Sequence, residues 1–132
     1  MSIESWDGLA AVIAGMAPAM VDGDTLIVDC GPYFVQMQQM EECLAVEAVG
    51  DEYLPEDRQL TGRDRQHMLE LGWDPIDPVV NPNWRRPFRW PLRSGDAALV
   101  GRLFVRTLRE VYGAVSPDDV TVSRFNAFGG RR

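Results

Sequence analysis

Three features of the 132-residue chain predict an α+β fold built on an antiparallel β-meander, with an N-terminal helix and two further helices. Apolar residues recur at helical spacing near the N-terminus and again over 94–113. Between them, three strand-like segments over 25–49 are joined by connections of two or three residues. Connections that short join antiparallel neighbours, since a parallel crossover needs a dozen residues or more.

The elements follow in order. Trp6, Leu9, Ile13, Met16 and Met20 lie on one face of a helix over 5–17, with Ser5 or Ser2 as its cap and Pro18 as its end. Asp22-Gly23-Asp24 is a turn. Strands follow at 25–30, 33–39 and 43–49, with Tyr33, Val35 and Met37 on the face opposite Phe34, Gln36 and Gln38. Residues 51–57 form an acidic connector pinned by Tyr53 and Leu54. Thr61 and Asp64 form a capping box for a helix that stops at Gly72, with Met68, Leu69 and Leu71 on its apolar side. Five prolines over 74–93 exclude regular helix there and permit only a short edge strand near 85–90. Ser94 is expected to cap the longest helix, which buries Val100, Leu103, Phe104, Thr107, Leu108 and Val111 and exposes Arg102, Arg106 and Arg109. A last strand is expected over 119–127.

Composition narrows the class of molecule. An apolar content of 45% and this length suit one domain spanning 1–132 with a real core. No apolar run reaches the ~20 residues of a membrane span, and the acidic start lacks a signal-peptide pattern, so the expected compartment is the cytoplasm. All 13 basic residues are arginine, as a GC-rich bacterial genome would favour. Residues 1–60 hold twelve acids and one arginine, and residues 61–132 hold eight acids and twelve arginines. The acidic half repels nucleic acid and favours a basic partner, unless it serves solubility alone.

Little in the chain suggests bond-making chemistry. His67 is the sole histidine, with Asp64 one turn back as a helix-surface pair, so no multi-histidine metal site exists. Cys30 and Cys43 end one strand and begin another, and read as small buried hydrophobes that are possible neighbours. Asp22-Gly23-Asp24 lacks the further acids of a calcium loop. No catalytic residue, metal or cofactor is assigned. Arg85-Arg86-Pro87-Phe88-Arg89-Trp90 interleaves bases with aromatics, but its isolation in an acidic chain favours arginines stacked on Trp84 and Trp90, pairing with the acidic half or a homodimer contact over nucleic-acid binding.

Three of the four tryptophans fall in one stretch, within Leu71-Gly72-Trp73, Pro82-Asn83-Trp84 and Trp90-Pro91. With Tyr33-Phe34-Val35-Gln36, Tyr53-Leu54-Pro55 and the run from Arg106 to Gly113, these motifs resemble, in order, the TY-Chap family of domains similar to type III secretion chaperones and YbjN proteins. The resemblance implies a secretion-chaperone-like fold with helices packed on one side of a curved sheet. It also implies a homodimer that binds a peptide or partly unfolded protein segment, while the residues themselves lead to the expectation of a non-enzymatic domain with neither nucleic acid nor membrane as partner. Candidate contact residues are Phe34, Gln36, Met40, Trp84 and Trp90. Trp73 and Tyr112 read as core, whereas Phe34, Trp84 and Trp90 are open to both readings. The alternative is an accessory domain bound to one fixed partner or to itself.

Overall fold

The computed structural model describes residues 4–131. Helix α1 (Trp6–Met16) starts where the Ser5 hydroxyl accepts a 2.9 Å bond from the Gly8 amide, and Leu9 and Ile13 are its fully buried residues. It ends in a 3₁₀ turn at Ala17–Ala19 containing Pro18. Ser2, the other candidate cap, lies outside the described residues.

Strands β1 (Asp24–Cys30), β2 (Tyr33–Gln39) and β3 (Cys43–Ala48) form the antiparallel meander. Gly31, at φ 59°, permits the tight β1–β2 turn. Strand β6 (Thr121–Asn126) pairs with the other side of β1, and β7 (Gly130–Arg131) pairs with the end of β6. At the opposite edge, β4 (Trp84–Arg85) and β5 (Phe88–Arg89) both pair with β3. The expected edge strand is therefore two short pieces either side of Pro87, joined by a 2.9 Å bond from the Arg86 amide to the Val46 carbonyl.

Alternation along the strands gives the sheet a covered face. Leu26, Val28, Val35, Met37, Leu44, Val46 and Ala48 form one core with α1 and with Val100, Leu103 and Phe104 of α3 (Ser94–Arg106). Gly101 brings the two helices close, because a Cβ there would sit 2.4 Å from the Ala10 carbonyl oxygen. Helix α2 (Gly62–Leu71) has the expected capping box and stops at left-handed Gly72, and Met68 is its only fully buried residue. It rests against the end of α3, where the chain widens into a π-helical turn over Thr107–Val111 before Gly113.

Several expectations need correction. Arg93, with no side-chain capping bond, occupies the N-cap of α3, and Ser94 is already helical. The connector is two 3₁₀ turns pinned by buried Leu54, while Tyr53 is exposed. Leu69 is also exposed, being carried past the Met68 contact by the helical rotation. Asp64 is engaged with the Thr61 amide, and His67 meets Glu70 and Glu110 instead. Cys30 and Cys43 are free thiols at opposite ends of the meander, because the antiparallel register pairs Cys30 with Tyr33 and places Cys43 beside the β2–β3 turn.

Candidate functional site: the open face of the sheet

The face of the sheet turned away from α1 and α3 is built by the residues between the core positions. Register places Asp29 beside Phe34 in one cross-strand row. The next row runs Ser123, Ile27, Gln36, Glu47 and Arg85, and a third runs Phe125, Thr25, Gln38 and Ala45. Gln38 donates a 3.0 Å bond to the Thr25 hydroxyl across this face. Most of its β1–β3 residues are half-buried, so it offers an amphipathic surface with amides, carboxylates and scattered apolar patches. The Asp29 carboxyl, desolvated beside Phe34, is held above its usual pKa.

Toward the β3 edge the face deepens into a groove of about 390 Å³ lined by Gln38, Met40, Glu42, Cys43, Ala45 and Arg85. Arg85 also borders a second hollow of about 160 Å³, whose wall includes Asp74, Asp77 and Val80. The rim is rich in carboxylates, with Glu41 and Glu47 on the first hollow as well. Asn83 ties this edge together, accepting from the Gly50 amide at 2.9 Å and donating to Glu47 at 3.2 Å. At the far edge, among the described residues, no strand pairs with the outer side of Thr121–Arg124. Two exposed apolar residues, Val115 (84%) and Phe128 (78%), precede and follow β6 in the chain.

The structure brings three of the five candidate contact residues to this region. Phe34 and Gln36 are half-buried on the open face, and Met40 is 44% exposed at the groove rim. Trp84 is only 5% exposed, because it stands opposite Ala48 on the covered face and joins the core. Trp90 is half-buried and packs against the core beyond β5, with its amide donating to the Glu42 carbonyl at 3.4 Å. Of the three arginines between them, Arg86 differs from expectation, since it lies over the Phe88 ring, 5.1 Å from its centre, rather than over a tryptophan. Arg85, from the basic–aromatic run, stands opposite Glu47 on this surface, and Ile27, Ala45 and Phe125, which were not singled out from sequence, complete it. Their signal was the second phase of the strand alternation, which a core-seeking reading discards.

The other motif residues are packing and anchoring groups. The Trp73 indole donates a 3.0 Å bond to the Thr107 hydroxyl, which donates in turn to the Leu103 carbonyl at 2.7 Å. Tyr112 stacks on Tyr33 with centroids 4.6 Å apart, and its hydroxyl donates to the Val49 carbonyl at 3.0 Å. Burial pushes the Tyr112 phenol strongly upward in pKa, so it remains a neutral donor. Among the described residues no group of three or more His, Cys, Asp or Glu is arranged to hold a metal. No helix among them is long and apolar enough to cross a membrane.

No curated protein and no solved structure matches the chain. A family does match over residues 2–126: TY-Chap3, described as T3SS (YopN, CesT) and YbjN peptide-binding chaperone 3. The match spans α1 through the end of β6, and so includes the covered core and the open face together. With its helix-backed antiparallel sheet and its ordered aromatic motifs, this chain belongs to the TY-Chap3 family of peptide-binding chaperone domains.

Proposed function

We propose that the chain is one non-enzymatic, chaperone-like domain over 1–132 that acts in the cytoplasm, as a homodimer, on an extended or partly unfolded polypeptide segment. The observation that carries this reading is the sheet's asymmetry: one face is sealed by helices, while the other is half-exposed and amphipathic. Phe34 and Met40 supply apolar contact, and the thioether of Met40 adapts to differing side chains. Gln36 supplies amide hydrogen bonds. Trp90, alone among the three motif tryptophans, keeps surface to offer, and Trp84 contributes by holding β4 on the core. The carboxylates around the groove favour a client segment carrying arginine or lysine, which gives salt-sensitive encounter followed by apolar retention.

A second reading is an accessory domain with one fixed partner or with itself, favoured by the outer side of Thr121–Arg124, which pairs with no strand among the described residues. Such an edge can accept a strand through backbone bonds alone. Native mass spectrometry of tagged protein gently recovered from its own host separates the two. A dimer carrying several polypeptides below unit stoichiometry supports the chaperone reading. One partner at integral stoichiometry supports the accessory reading, and a bare monomer opposes both.

A further inference from the structure

Two polar links join α2, together with the residue just past its Gly72 stop, to the π-helical turn after α3, and they differ in kind. One is the buried indole–hydroxyl bond between Trp73 and Thr107. The other lies at the surface, where the His67 ring is inserted between carboxylates from both elements. Its Nε2 lies 2.8 Å from Glu110 and its Nδ1 lies 3.3 Å from Glu70. Glu110 also accepts two bonds from the Arg106 guanidinium, at 2.7 and 3.1 Å. Arg63 and Asp64, one turn earlier on α2, line the same cleft.

This arrangement makes a demand on the ring. An ionised carboxylate can only accept hydrogen bonds, and a neutral imidazole has a single N–H. A neutral His67 would satisfy one carboxylate and set a bare nitrogen lone pair against the other. Only the imidazolium, with both nitrogens protonated, satisfies both. The Arg106 guanidinium helps by keeping Glu110 ionised, below its usual pKa. Helix α2 depends on such contacts because Met68 is its only fully buried residue.

We propose that His67 is a proton-dependent clasp that fastens α2 to the end of α3 as an imidazolium bridging Glu70 and Glu110. The hydrogen bond to Glu110, above all, raises its pKa from the ordinary histidine value, with Glu70 adding to the effect. A raised folded-state pKa means that the contribution is fully present below the ordinary histidine value and is lost as pH rises through the raised one. At the acid end it disappears as pH falls through the lowered pKa of Glu110. The clasp therefore works in the window between these limits, and alkaline conditions release it while leaving the Trp73–Thr107 link in place. With the His67 side chain 32% exposed, salt also weakens it.

The chain holds one histidine, so ring NMR on the untagged protein reads this group without ambiguity. The ring should titrate above the ordinary histidine value, with both nitrogens protonated near about pH 6. Glu110→Gln should move the midpoint down, and Glu70→Gln should move it down by less. The Tm difference between wild type and His67→Gln should be present near about pH 6 and fade near about pH 9. A ring titrating at or below its ordinary value, or one unmoved by Glu110→Gln, would overturn the clasp. So would a wild-type advantage in Tm that is the same at both pH values.

Discussion

The two faces of the sheet use the same strands for opposite purposes. On the covered face, Val35, Met37 and Val46 meet α1 and α3 in a core without exposed surface. On the open face, one position along each strand, Gln36 and Glu47 stand in a row with Ile27 and Arg85 and remain half-exposed. Because side chains alternate with period two, each strand carries both programmes at once, and a single-residue slip would exchange them. Stability is therefore concentrated on one face, while the other is free to carry recognition.

Substitutions can break that division, and the largest effect belongs to the covered face. Phe104→Ala removes a fully buried ring between the helices and the sheet, and should cost about 3–5 kcal/mol in urea denaturation. Next, Gly101→Ala forces α1 away from α3, since the new methyl would meet the Ala10 carbonyl, with a cost of about 1–3 kcal/mol by the same assay. Trp73→Phe then deletes the donor to Thr107 and should cost about 1–2 kcal/mol, lowering Tm without altering client binding by the folded fraction. Phe34→Ala, on the open face, should cost only about 1 kcal/mol of stability because the ring is half-exposed. Its principal effect is faster client dissociation, measurable by fluorescence anisotropy of a bound peptide. The smallest expected stability change is that of exposed Glu42→Arg, within about 0.5 kcal/mol. That variant should slow association of a basic peptide and flatten its salt dependence.

Local chemistry was readable from sequence at most helix ends, the start of α3 at Arg93 excepted. Ser5, the Thr61–Asp64 box, Gly72 and Gly113 delimit helices through contacts within a few residues, and all four hold. The β-meander was equally legible, because short turns leave antiparallel pairing as the only option. What escaped depends on distant partners. The pairing of β6 with β1 joins residues almost a hundred positions apart, so no local pattern announces it. Trp84 turned inward because the β3–β4 register sets it opposite Ala48, and Arg86 lies over Phe88 while its guanidinium donates to the Gly72 carbonyl at 3.3 Å. His67 was read against Asp64 on its own helix, but the capping box had already engaged that carboxylate. Of the candidate contacts, Phe34, Gln36 and Met40 were reachable from alternation and turn position, whereas the groove that Met40 borders exists only once β4 and β5 close the β3 edge.

The central claim is that a client segment lies on the open face, and photo-crosslinking from one position on each surface tests it most directly. A photoreactive residue at Gln36, in the middle of the open face, is compared in host cells with one at Gln66, on the exposed side of α2. The account predicts polypeptide adducts from Gln36, reduced by Phe34→Ala and by high salt, and few from Gln66. Equal labelling from both positions, or labelling from Gln66 alone, would contradict it.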